Sequence, residues 1–131
     1  ATDGRYSYFR YPADMEAAPL FEYTLMPQHS GAPFVAAELA HAALHPGFDF
    51  TQGMPVLKIP AIKGAKRPPM QGGGFDDTET VLYDLDADPG QNAPFRDPDI
   101  EARFCRAIAE AMRAHDAPTE LYDRFDLVEP A

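Results

Sequence analysis

The sequence predicts an α+β fold, a small antiparallel sheet of about four strands with a C-terminal helix packed on one face. Three observations carry that expectation. Short aromatic or β-branched runs recur as far as Leu85, separated by turns that contain Pro and Gly. The one long amphipathic stretch comes last, so long helices do not alternate with strands as a parallel sheet requires. Fourteen prolines in 131 residues, about twice the usual ~5% share, favour short elements joined by stiff loops.

Taken in order, RYSYFRY (Arg5 to Tyr11) and LFEYTLM (Leu20 to Met26) read as strands, with YPADMEAAP linking them. FVAAELAHAALH (Phe34 to His45) is rich in alanine and sets Val35, Leu39 and Ala42 or Ala43 at helical spacing. With Pro33 before it and Pro46-Gly47 behind, it predicts a helix. PVLKIPAI is a third strand, in which Pro60 marks an edge or an end. TVLYDL is the fourth, with Val81, Tyr83 and Leu85 on one side and the turn ADPG closing it. In the last helix Asp97 is the cap, Pro98 suits the first turn, and Asp99 and Glu101 favour the positive end of the dipole. Ile100, Phe104, Ile108 and Met112 form its apolar stripe, and His115 and Pro118 mark its end. PTELYDRFDL predicts one more short helix, with Leu121 and Phe125 inward.

Length and charge bound the function. A chain of 131 residues fits a single domain, residues 1–131, that removes roughly two-thirds of its unfolded surface from water. Its 21 acidic and 11 basic residues give a net charge of −10, which repels a phosphate backbone, so nucleic acid is not an expected partner. No run of 18 apolar residues is present to span a bilayer, and ATDGRYSYFRY lacks the apolar centre of a signal peptide. A soluble protein is expected, with its compartment left open. The single Cys105 forms no internal disulfide and reads as a buried, inert thiol within a helix.

Several clusters bear on chemistry. Asp84, Asp86 and Asp88 alternate as the first ligands of an EF-hand do, yet Pro89 stands where that loop needs Gly, and Phe95 where it needs a bidentate Glu. A strand end and turn fit the residues better. Glu38, His41 and His45 share one side of the expected helix, but a single Glu-x-x-His is half of a di-iron pair, and a solvated helix face is the expectation. Lys63, Lys66 and Arg67 gather before Gly72-Gly73-Gly74 without Walker A order, a surface loop whose charge suits an anionic ligand. Gln28 and His29, in MPQHS, follow the second strand in a loop bounded by proline and offer hydrogen bonds to a polar ligand. Gln28, His29, Lys63, Lys66 and Arg67 are thus the candidate substrate-binding residues. No catalytic or metal-binding residue is assigned.

TDGRYSYFRYP, followed much later by LYDLDADPGQNAPFRDPDIEARF, resembles the C-terminal subdomain of a bacterial sulfatase of the alkaline-phosphatase-like superfamily. Such chains have a DGRYKYI-like strand, an ELYDLxxDPxExxNL-like strand and turn, and a terminal helix. PLFEYTLMPQHSGAPF and FTQGMPVLKI resemble the intervening part in one bacterial branch, so the likeness runs from Thr2 to Leu127. Gln91 and Asn92 stand where the family usually has Glu and then Asn. The resemblance implies sulfuric ester hydrolysis by an intact enzyme that uses calcium and a formylglycine made from Cys or Ser in [CS]-x-[PA]-x-R. Cys105, Ser7 and Ser30 all lack the Arg four positions on, and the family's metal ligands are unmatched. What is implied is therefore a structural and substrate-recognition subdomain, inactive alone and without a cofactor of its own. Its implied partner is an N-terminal catalytic domain that this chain lacks, with a homodimer as a further possibility for its aromatic strand faces. A stand-alone interaction domain without catalysis is the alternative.

Overall fold

A computed structural model describes residues 1–26, 28–29, 32–62 and 78–130. The fold is α+β, built from small antiparallel sheets and a long helix near the C-terminus. The expected sheet of about four strands is not a single sheet. Its strands divide between two compact units, one of Ala1–Met15 with Phe75–Ala131 and the other of Glu16–Gly74.

In the first unit β1 (Tyr6–Phe9) pairs antiparallel with β7 (Val81–Asp84), setting Tyr6 against Asp84 and Tyr8 against Leu82. Side chains opposite one another share a face, so Tyr6, Tyr8 and Leu82 face one way while Phe9, Val81 and Tyr83 face the other. Helix α2 (Pro98–Ala114) covers the first face. Tyr8 and Leu82 are buried to 1% and 0% exposure, and Phe104 stacks on Tyr8 with ring centroids 5.8 Å apart. Val81 and Tyr83 thus share one side, as expected, but it is not the side that α2 covers. VLYDL carries apolar residues at both parities, and the parity that α2 covers is that of Leu82. Leu85 has already left the strand for a turn, donating its amide to the Arg5 carbonyl at 2.7 Å.

Helix α2 starts as its sequence predicts. Asp97 accepts hydrogen bonds from the amides of Asp99 and Ile100, both at 3.1 Å, and Pro98 occupies the first turn. Phe104 is buried, and Ile100 and Ile108 pack around it. Glu101 does more than favour the dipole. It is 7% exposed, and its Oε1 accepts from Arg96 Nε at 2.7 Å and from the Asp97 amide at 3.3 Å. After His115 the chain turns on Asp116, at φ 54°, and the Ala117 amide returns to the Met112 carbonyl at 2.9 Å. The same device ends α3 (Glu120–Arg124), where Asp126 has φ 50° and the Leu127 amide meets the Tyr122 carbonyl. Tyr122 and Leu127 close over Ala109 of α2. Tyr122 is therefore the buried residue of α3, and Leu121, expected inward, is only half-buried.

In the second unit β2 (Phe21–Thr24), β6 (Val56–Pro60) and β5 (Ala43–His45) form a three-stranded antiparallel sheet with β6 in the centre. Pro60 ends its strand, one of the two outcomes expected for it. β3 (Gln28–His29) pairs antiparallel with β4 (Ala32–Pro33). The predicted helix from Phe34 to His45 shrinks to one turn, α1 (Ala36–Leu39), and Ala43–His45 pairs instead with Val56–Lys58. Alanine's helix preference is worth a few tenths of a kcal/mol per residue, and pairing with β6 overrides it. Among the described residues of this unit, Ile59, Val56 and Phe34 are the buried apolar ones.

Candidate functional site

At the end of β7 the acidic run is occupied by its own backbone. Asp84 Oδ1 accepts from the amides of Asp86 at 3.0 Å and Ala87 at 3.4 Å, while its Oδ2 takes Arg5 Nη2 at 3.0 Å. Asp88 begins a β-turn through Pro89 and Gly90, in which the Gln91 amide meets the Asp88 carbonyl at 3.1 Å. Its Oδ2 also accepts from the amides of Asn92 and Ala93, at 2.6 and 2.7 Å. Gln91 itself sits at φ 53°. The Arg5 guanidinium holds the Asp84 carboxyl below its ordinary value of 3.8. Asp3 is lowered likewise, first by the Tyr6 amide and then by Arg103, whose Nη2 lies 2.7 Å from Asp3 Oδ2.

Of the candidate binding residues, Gln28 and His29 form β3, paired with Pro33 and Ala32, and Gln28 is exposed. They lie on a two-residue strand rather than in an open loop. Lys63, Lys66 and Arg67 lie outside the described residues. Glu38, His41 and His45 do not share a helix face, because α1 stops at Leu39. Glu38 Oε2 accepts from the Val35 amide at 2.7 Å, and the His45 ring packs on Tyr23 and Phe48, with centroids 5.2 and 4.9 Å away. Among the described residues no group of three or more His, Cys, Asp or Glu side chains is placed to hold a metal ion. The formylglycine motif [CS]-x-[PA]-x-R does not occur in the sequence.

Two features were not anticipated. In the second unit Phe21, Tyr23, His45, Phe48 and Phe50 form a chain of ring contacts, with Lys58 Nζ 3.9 Å from the Phe21 centroid. Phe50 remains 71% exposed and Leu44, on β5, 76%. In the first unit a cleft of about 530 Å³ opens between the segment leaving β1 and the corner formed by α2 and α3. Arg10 builds that corner. Its Nε donates to the Phe125 carbonyl at 2.8 Å and its Nη2 to the Asp126 carbonyl at 3.2 Å, capping the C-terminal end of α3. Arg124 Nη2 donates to the Met15 carbonyl and ties the other end of the segment to α3.

Tyr8 forms the floor, its hydroxyl 3.7 Å from Cys105 Sγ. Burial pushes the phenol above its ordinary value of 10.0, the thiol adds to the rise, and Arg10 draws it partly back. The sequence signal for this cleft was an arginine set among aromatic residues in YFRYP, beside a strand, but its partners lie more than a hundred residues away. In comparisons with known proteins the chain matches no family model, and no curated protein or solved structure is similar to it.

Proposed function

We propose that this chain is the C-terminal structural and substrate-recognition subdomain of a sulfatase-like hydrolase, without catalytic activity of its own. The observation that carries the reading is the pairing of β1 with β7. The two stretches on which the sulfatase resemblance rests lie about 75 residues apart in sequence and form neighbouring strands joined by Arg5 and Asp84. The helix that follows the DP turn then packs on the face they share. A strand, a strand with an acidic turn and a capped helix are the parts that the resemblance requires, in that order. Gln28 and His29 are the residues proposed to touch the organic part of the ester, with Lys63, Lys66 and Arg67 attracting an anionic one.

Two experiments test the proposal. The reading frame upstream of Ala1 should encode a [CS]-x-[PA]-x-R segment, and a frame without one sinks it. In an intact enzyme, His29→Ala should lower kcat/KM for the native substrate by roughly 1–3 kcal/mol, the worth of a desolvated hydrogen bond, and barely affect a generic aryl sulfate. Equal losses on both substrates would place His29 in the fold or the chemical step.

A second reading, a stand-alone interaction domain, is favoured by the exposed apolar side chains of the second unit. Leu25, Val35, Leu44, Phe50 and Met54 are each more than half exposed, an amount of apolar surface that suits a protein partner. The upstream frame separates the two readings, since only the first requires a catalytic domain.

A further inference from the structure

We infer that the cleft at the α2–α3 corner binds a small amphipathic anion, a compact apolar body carrying one carboxylate or sulfate head. Its volume of about 530 Å³ falls within the ~300–1,000 Å³ of small-molecule sites. The walls are apolar, with Phe9, Tyr11, Met15, Ile108, Met112 and Phe125 among them. Rings and thioethers of this kind adapt to the shape of an apolar body.

The charge of the lining selects the head group. Arg10 and Arg124 line the cleft and no carboxylate does, in a chain whose net charge is −10. The Arg10 side chain is already only 20% exposed, and its acidic partner Asp126 is 97% exposed, so that pair is well screened. A neutral occupant would strip the remaining water from the guanidinium and leave it only the well-screened Asp126 as counter-charge, which is costly. An anion removes that cost.

Arg10 is also held in place before any ligand arrives. Its bonds to Phe125 and Asp126 use Nε and Nη2, and the guanidinium also interacts with the Tyr8 hydroxyl. A guanidinium fixed beside a phenol suits charge-assisted recognition of a carboxylate or sulfate.

The test titrates the purified chain with hexanoate, hexyl sulfate and hexanol while backbone amide shifts are followed by NMR. Saturable shifts from at least one anion should concentrate in residues 9–15, 108–112 and 124–126, with hexanol binding about ten-fold more weakly or worse. The tighter of hexanoate and hexyl sulfate identifies the head group. Arg10→Gln should weaken the anion about ten-fold and leave hexanol unchanged. Because that change also removes the cap of α3, Phe9→Asp provides a second variant, placing a negative charge on the cleft wall at a residue 42% exposed. It should weaken the anion selectively while the amide spectrum stays folded. The inference is overturned if no anion saturates at millimolar concentration, if the shifts map elsewhere, such as the groove between α2 and residues 126–130, or if hexanol binds as tightly as the anions.

Discussion

Leu82→Ala should be among the most damaging single changes in the first unit. The side chain is 0% exposed and forms one buried cluster with the Tyr8 and Phe104 rings, with Tyr6, Phe95 and Ile108 packed around it. Removing its isobutyl group loses the transfer free energy of the deleted carbons and opens a cavity. The aromatic rings beside it, held by strand pairing and by α2, have little room to close it. Buried Leu→Ala changes cost ~2–5 kcal/mol, and this geometry favours the upper half of that range. At roughly 4–8 °C per kcal/mol for a small unit, the melting temperature should fall by tens of degrees. Urea unfolding followed by tyrosine fluorescence and by far-UV circular dichroism measures the loss. Leu82→Met, which nearly conserves volume, should cost under ~1.5 kcal/mol. A Leu82→Ala loss below about 1 kcal/mol, or equal losses for both variants, would refute the placement of Leu82 at the centre of this core.

Asp97→Ala should cost ~1 kcal/mol by leaving the Asp99 and Ile100 amides uncapped, and Asp97→Ser should recover most of it, both read from chemical denaturation. Gly47→Ala should destabilise the second unit by at least about 1 kcal/mol, because Gly47 has φ 98° and a Cβ there meets the Met54 carbonyl oxygen and Thr51 Oγ1. Hydrogen exchange of β5 and β6 amides would report that loss. Asp3 and Asp84 have folded values below 3.8, so their contribution is present above that pH and disappears as pH falls through the lowered values. Tyr8 is shifted above 10.0, so its contribution is present below that pH and is lost as pH rises through the raised value. Melting temperature against pH should therefore fall at both extremes, with Asp84→Asn removing part of the acid limb and Tyr8→Phe part of the alkaline one.

Local signals in the sequence were legible and long-range ones were not. Helix α2 could be read because Asp97, Pro98 and the stripe from Ile100 to Met112 agree with one another, and each acts within a few residues of its neighbours. The strands at Tyr6, Phe21, Val56 and Val81 were visible for the same reason. Which face of β7 is buried was not visible, since VLYDL offers an apolar residue at either parity and α2, nearly twenty residues further on, makes the choice. The alanine-rich run failed for a related reason. Its propensity favours a helix, and β6 claims Ala43–His45 as a strand. The cleft was hidden most deeply, because Arg10 acquires its role only when α3 brings the Phe125 carbonyl beside it.

The same distinction explains why spacing of carboxylates was a poor guide to chemistry in so acidic a chain. Asp3 accepts from the Arg5 and Tyr6 amides, Asp84 from those of Asp86 and Ala87, Asp88 from those of Asn92 and Ala93, and Asp97 from those of Asp99 and Ile100. Each of these side chains satisfies backbone donors at a turn or a helix start, where no regular ladder would do so. An oxygen engaged by two amides is held in position by its own loop, and binding a cation there would require that loop to give up its hydrogen bonds. Part of the negative charge is thus spent locally on turns, within a few residues of where it is encoded. Arg10 works in the opposite sense, joining the end of a strand to the end of a distant helix. In a chain of this charge an anion finds few places to approach, and the Arg10 cleft combines fixed positive charge, apolar walls and no lining carboxylate.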